Sequence, residues 1–247
     1  MSDVSIKNLK CAYGEKTVFD GFDVTFAENK INVVLGGSGV GKTTLLNVLA
    51  GLKTFEGEVS GVDGGVSYIF QKDRLIPTIS VYKNLDLILR GVCKDRHERK
   101  KAIENMANLV EIGDVLHSLP SEISGGQAQR VAMARAFLYP SKVLLLDEPF
   151  KALDTALKSR LIKQLIALNR IEPRTVVFVT HAIDECLLCA DEYFVFAKNP
   201  VEIVLDGKIE SDKTERTLYD EDLQAHRNRL LCTLAGKSDE GAELQKK

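Results

Sequence analysis

Three stretches of this chain carry residue types at spacings suited to phosphate chemistry. The first is GGSGVGKTT over residues 36–44, which fits G-x-x-x-x-G-K-[ST] with Gly36, Gly41, Lys42 and Thr43 in the fixed places. Gly37, Ser38, Gly39 and Val40 fill the loop between them. Glycines let such a backbone curl so that successive N–H groups point at phosphate oxygens. Lys42 offers a cation to the β- and γ-phosphates, and the Thr43 hydroxyl offers a ligand to Mg²⁺. Thr44 opens a segment that reads as a helix to Leu52, whose positive end would add to the anion site. The second stretch is VLLLDEPF over residues 143–150, a buried strand ending in two carboxylates. Asp147 is the expected metal ligand, through water, and Glu148 the expected base that orients the attacking water. The third is ISGGQAQRVAMARAF over residues 123–137, where Ser124, Gly125, Gly126 and Gln127 read as a helix N-terminus capped by Ser124 with Gln127 reaching back. That cap is a sufficient structural account of the stretch, and it is also compatible with anion binding.

The elements that would hold these groups alternate between strand and helix. Apolar runs at residues 31–35, 66–70, 143–146, 176–179 and 193–196 are short and rich in β-branched or aromatic residues. They fit strands buried on both faces of a parallel or mixed sheet with helical crossovers, a three-layer α/β core. Residues 81–110 carry no strand pattern; Leu85, Ile88 and Leu89, then Ile103, Met106 and Val110, recur at helical spacing, with the charged DRHERKK between them. This reads as a helical insertion. The first thirty or so residues alternate more like antiparallel β, with Val4, Ile6, Leu9, then Val18, Phe19, Phe22, Val24 and Phe26 apolar. Beyond about residue 211 the pattern weakens, and the polar GKSDEGAELQKK is expected to be disordered.

Composition sets limits on partners. The 247 residues are 45% hydrophobic and 28% charged, enough for a sizeable core, and the formal net charge of -2 offers no basic excess for nucleic acid. No apolar run is long enough to span a bilayer and the N-terminus lacks a signal-peptide pattern, so the expectation is a soluble cytoplasmic protein that reaches any membrane through a partner. The five cysteines are odd in number and scattered. Cys186 and Cys189 form a CxxC, read as two small apolar residues on one helix face rather than a redox or metal site.

Taken together, these motifs resemble the ATP-binding cassette (ABC) ATPase family. SGGQ followed by QR and AR, about twenty residues before the Asp147–Glu148 strand end, is similar to that family's signature motif. Tyr13 stands where the family places an adenine-stacking aromatic, Gln71 matches the Q-loop glutamine, Ala152-Leu153-Asp154 the D-loop and His181 the switch histidine. Each has a bland reading alone; only the ordered set, covering roughly residues 4–208, carries weight. The resemblance implies a P-loop NTPase (RecA-like) core with an antiparallel β lobe and an α-helical lobe. It places the nucleotide-binding domain at residues 1–215, the helical subdomain at about 72–136, and a C-terminal helical extension with its tail at 216–247. It implies ATP and Mg²⁺ as cofactors, with Thr43, Gln71 and Asp147 toward the metal and Glu148, His181, Gln71 and Lys42 in catalysis. Tyr13 and residues 36–44 would hold ATP, with Ser124, Gly125, Gly126, Gln127 and Asp154 supplied by an opposing cassette in a homodimer.

Within the family, FQKDRLIPTISVYKNL, DEPFKALD and THAIDECLLCADEYFVF resemble ATPase subunits of bacterial nitrate/sulfonate/taurine importers. That implies a separate integral-membrane permease, an extracytoplasmic solute-binding protein reached indirectly, and a place on the inner face of the membrane. The sequence departs from the pattern at Ile123, usually leucine, at Lys151, where glycine or serine is common, and at Ala182, where aspartate is usual. A non-transport ABC ATPase acting on a soluble assembly and a catalytically inactive regulatory cassette are the competing readings. A last expectation concerns Leu75, Ile76, Pro77 and Ile79, apolar residues in a loop after Gln71, which are either tucked inside or covered by a permease helix.

Overall fold

The computed structural model describes residues 3–151 and 153–236; the tail expected to be disordered lies outside the described residues. The chain forms two compact units, one from its two ends (Met1–Asp63 with Arg174–Lys247) and one from its middle (Gly64–Pro173).

The first unit contains two sheets. Strands β1 (Val4–Tyr13) and β2 (Lys16–Phe26) form an antiparallel hairpin, and β4 (Glu56–Ser60) pairs antiparallel with the other edge of β1. Val4, Ile6, Leu9 and Cys11 of β1 and Val18, Phe19, Phe22, Val24 and Phe26 of β2 are buried. The three-residue steps from Ile6 to Leu9 and from Phe19 to Phe22 mark irregularities in the ladder, where Asn8 and Gly21 take left-handed backbone (φ 50 and 67). The second sheet has β3 (Ile31–Gly36), β7 (Thr175–Thr180), β8 (Glu192–Ala197) and β9 (Glu202–Lys208). Here β3 lies parallel between β7 and β8, while β9 runs antiparallel on β8. Every residue of β3 and β7 is buried, which is why they read as continuous apolar runs. Helix α1 (Lys42–Leu49) follows β3, and α6 (Ile183–Cys189) follows β7. Helix α7 (Glu221–Leu234) packs on α6, β8 and β9.

The second unit pairs β5 (Val66–Ile69) in parallel with β6 (Val143–Asp147) and, among the described residues, adds four α-helices. These are α2 (Val81–Leu89), α3 (Arg96–Leu109), α4 (Gly125–Leu138) and α5 (Thr155–Ile171). Each begins at a residue whose side chain accepts a first-turn N–H: Ser80, Asp95, Ser124 and Asp154. The charged DRHERKK stretch is thus a helix start capped by Asp95. Helices α2 and α3 fall within residues 81–110, where the sequence carries helical periodicity. Helix α1 begins two residues before the expected Thr44 and ends three before Leu52.

Candidate active site

The parallel pairing in each unit collects chemistry at one sheet edge. In the first unit Leu35 of β3 pairs with Thr180 of β7, so the loop that begins at Gly36 and the exposed His181 leave adjacent strands side by side. In the second unit Ile69 of β5 pairs with Leu146 of β6, so Gln71, Asp147 and Glu148 emerge together from the ends of that pair.

The loop over residues 36–44 is shaped by glycine where shape demands it. Gly41 has φ 125, and a Cβ there would lie 2.8 Å from Val201 Cγ2 and 2.9 Å from Val18 Cγ1. Gly39 is also left-handed at φ 75. A Cβ on Gly37 would meet nothing of this chain, so the loop keeps an open face there. Lys42 is buried, and its Nζ donates to the Gly36 and Gly37 carbonyls at 2.8 Å each, folding the ammonium back across the loop mouth. Thr43 is exposed and Thr44 buried. Helix α1 has no side-chain cap and no acid in its first turn, which keeps its positive end available to an anion. Tyr13, at the end of β1, is half exposed with the Lys53 ammonium 4.0 Å over its ring.

Asp147 ends β6 with only 7% of its surface exposed. Its charge is felt at Tyr68, whose hydroxyl is pushed well above the usual tyrosine range by burial first and by Asp147 second. Glu148 takes a left-handed backbone at φ 44, uncommon for a residue with a long side chain and a form of strain that clusters at functional sites. Lys151 Nζ sits 2.8 Å from Glu148 Oε2.

Gln71 is exposed at the start of a loop that is firmly held further along. Arg135 of α4 donates to the Asp73 and Arg74 carbonyls at 2.8 and 2.9 Å. Asn84 of α2 accepts from Ile76 N at 2.8 Å and donates to the Ile76 and Ile79 carbonyls. The apolar segment is not tucked away: Ile76 is 39% exposed, and Leu75 and Ile79 are half-buried. Beside it a cavity of about 360 Å³ is lined by Phe70, Arg74, Ile88, Arg135 and Tyr139 among others.

The helix end at Ser124 is a complete capping box: Ser124 Oγ accepts from Gln127 N at 3.2 Å, and Gln127 Oε1 accepts from Ser124 N at 2.9 Å. The two glycines between them differ. A Cβ on Gly126 would meet Leu157 Cδ2 at 2.5 Å, so packing on α5 accounts for it, whereas one on Gly125 would meet nothing. Asp154 caps α5 through Leu157 N at 2.9 Å. Ala182 gives α6 no side-chain cap; the Thr180 hydroxyl accepts the N–H of Ala182 itself at 3.1 Å and donates to the buried Glu185 carboxylate at 2.5 Å. Cys186 and Cys189 are fully buried free thiols, both raised well above the usual range chiefly by burial, as two apolar helix residues would be. Among the described residues no group of three or more His, Cys, Asp or Glu could hold a metal ion. The expected Mg²⁺ ligands are of another kind: the Thr43 hydroxyl, the Gln71 amide and the Asp147 carboxylate are all hard oxygen donors, which suit this cation with waters completing its shell.

Sequence reasoning missed Lys53 on Tyr13, Arg135 and Asn84 on the Gln71 loop, and the pairing of Lys151 with Glu148. Of these only Lys151 carried a signal, as a charge at a position where the family pattern is small.

A family model described as ABC transporter matches residues 19–151. The aliphatic sulfonates import ATP-binding protein SsuB 1 of Pseudomonas syringae pv. tomato is 38% identical over 244 residues, covering 96% of this chain and 85% of that relative. The spermidine/putrescine import ATP-binding protein PotA of Pasteurella multocida is 33% identical over 88% of this chain, which spans 60% of that relative's length. Among solved structures, a dimeric bacterial ABC transporter cassette aligns at TM-score 0.74 and 26% identity, covering 85% of this chain and 100% of the other. A dimeric post-hydrolysis ATP-binding cassette bound to ADP and Pi aligns equally well, at 27% identity. With its motifs in order and the matching model spanning more than half its length, this chain belongs to the ABC transporter family.

Proposed function

We propose that this chain is the ATP-binding and ATP-hydrolysing subunit of an ABC importer, energising uptake of a small solute of the nitrate, sulfonate or taurine type through a separate permease. The observation that carries this reading is the glycine-shaped loop at the uncapped N-terminus of α1, with the Lys42 ammonium folded over it. Backbone N–H groups of residues 36–44 cradle the phosphates, and Lys42 moves from the Gly36 and Gly37 carbonyls onto the β- and γ-phosphate oxygens. Tyr13 stacks on adenine with the ring face that Lys53 leaves free. Mg²⁺, when bound, neutralises charge developing on the phosphate oxygens; Thr43, Gln71 and Asp147 are the residues that would hold it. Glu148 orients and activates water, and His181 faces the γ-phosphate from the neighbouring strand end.

A second copy of the chain completes the site. Its Ser124, Gly125, Gly126 and Gln127 present a capped helix end with a bare glycine face to the γ-phosphate, and its Asp154 lies beside them in the dimer contact. Dimeric cassettes among the structural neighbours support this assembly. No helix among the described residues is long and apolar enough to cross a membrane, so transport requires a permease. The partly exposed segment of Leu75, Ile76, Pro77 and Ile79 and its adjoining cavity would receive a short permease helix at the inner membrane face. An extracytoplasmic solute-binding protein would deliver cargo to that permease. The sulfonate-import relatives support the solute class.

The test is Glu148→Gln. With Mg²⁺ the wild-type chain should hydrolyse ATP. The variant should still bind ATP, turn over about 10²–10⁴-fold more slowly, and elute as an ATP-bound dimer on size exclusion when Mg²⁺ is limited. Hydrolysis at the wild-type rate would remove Glu148 from its role, and absence of hydrolysis in the wild type would sink the reading as a whole.

A further inference from the structure

We propose that Lys151 is a positioning residue that restrains Glu148 in the resting cassette, holding its carboxylate until closure of the ATP-bound dimer draws the lysine away. This rests on the reading of Glu148 as the group that orients the attacking water. The geometry is local to one turn. Glu148 leaves β6 in left-handed backbone at φ 44, and the Lys151 N–H donates to the Glu148 carbonyl at 3.1 Å, closing a tight turn over Pro149 and Phe150. Phe150 is fully buried and anchors that turn. The same turn stacks the two side chains, with Lys151 Nζ 2.8 Å from Glu148 Oε2.

Two consequences follow from that ion pair. An ammonium against one carboxylate oxygen weakens it as an acceptor for a water proton, which is the task assigned to Glu148. The Glu148 side chain is 13% exposed and that of Lys151 49%, so the lysine sits on the solvent side on a flexible stem and can swing out without disturbing the fold. A half-exposed pair three residues apart adds little to stability, so packing does not account for the lysine. Its position does. The turn leads directly into Leu153 and Asp154, the segment expected to meet the second cassette, so formation of that contact is the event placed to displace it. The restraint would keep an isolated cassette from wasting ATP.

The experiment uses the purified full chain with ATP and Mg²⁺. Lys151→Met and Lys151→Gly should each raise basal kcat about two- to fivefold, the scale set by a partly solvated ion pair, and leave KM unchanged. Lys151→Arg keeps the charge and should keep the slow rate. Raising ionic strength should speed the wild type relative to Lys151→Met, because screening acts on the pair that only the former has. A kcat for both Lys151→Met and Lys151→Gly at or below wild type overturns the restraint, and so does a change in KM that accounts for the whole effect. The double variant Glu148→Gln/Lys151→Met should be as inactive as Glu148→Gln alone. If Glu148→Gln itself turns over normally, it is the assignment of Glu148 that fails, and the two failures are told apart by that single control.

Discussion

Replacing Gly125 and Gly126 by alanine, one at a time, separates a glycine kept for a ligand from one kept for packing. Both sit in the first turn of α4, and both would be read from sequence as the same signature. In the structure a Cβ on Gly126 would stand 2.5 Å from Leu157 Cδ2 on α5, well inside van der Waals contact. The neighbour is the end of a flexible side chain, so the cost is that of moderate overpacking, about 1–3 kcal/mol. For a chain of this size that corresponds to a fall in Tm of roughly 2–4 °C per kcal/mol. A Cβ on Gly125 would meet nothing, and alanine is a better helix former by up to ~1 kcal/mol, so Gly125→Ala should fold at least as well as wild type. Its penalty should appear only when the helix end must approach a γ-phosphate across the dimer. Pushing that phosphate away from the first-turn N–H groups is comparable to losing one oxyanion donor, about 10²–10³ in kcat. The assay is steady-state ATPase with Mg²⁺, together with thermal melts and nucleotide binding by the monomer, which should survive. Normal hydrolysis by Gly125→Ala would refute the idea that this helix end closes on the opposing nucleotide; a destabilised Gly125→Ala would show that the open face is an illusion.

Tyr13→Ala should weaken ATP binding by roughly 1–3 kcal/mol, the worth of an aromatic stack on a base, while Tyr13→Phe stays near neutral; titration calorimetry checks both, and no loss with alanine would place the adenine elsewhere. Leu75→Asp and Ile79→Asp, at half-buried positions outside the groups assigned to the nucleotide, should leave ATP affinity within about twofold but weaken co-purification with the permease. Variants that fold, bind ATP and still hold the permease normally would end the docking proposal.

The sequence made the chemistry legible because the chemistry sits in short local patterns. GGSGVGKTT, the Asp147–Glu148 strand end and the Ser124–Gln127 cap are each contained within nine residues. Strands buried on both faces, such as β3 and β7, were legible as apolar runs. Elements without a fully buried face were not. β4 (Glu56–Ser60) shows no buried residue and carries two exposed glutamates, and β9 alternates only between half-buried and exposed. Helix α7 buries just Leu223 and Leu230, too few to raise a period, so a helix there was expected only through the family resemblance. Buried polar anchors are equally silent. Arg216 donates to the carbonyls of Leu187, Ala190, Ile209 and Ser211, tying the segment after β9 to α6, yet as text it is one arginine in a polar run. Such residues act through main-chain partners that are adjacent only after folding.

The placement of the assigned groups also explains which departures from the family pattern the site tolerates. Asp147 and His181 sit at the C-terminal ends of parallel strands, and Lys42, Ser124 and Asp154 at the N-termini of helices. Those positions are fixed by main-chain geometry and by burial of the strands behind them, so a side chain there is aimed whatever its neighbours are. Anions are drawn to such ends because the N–H groups of a first helical turn have no partners within the helix. A change at a flanking position alters capping or charge without moving the aim: Ala182 leaves α6 without a side-chain cap, yet the Thr180 hydroxyl accepts the Ala182 N–H and the chain still turns at His181. Lys151 belongs to a different class. It does not replace a cap or a packing contact; it sets a charge against the assigned base itself. A departure that removes only a cap leaves the strand end held by its parallel pairing, whereas one that sets a charge on the assigned acceptor oxygen should show in turnover, which is the outcome the Lys151 variants measure.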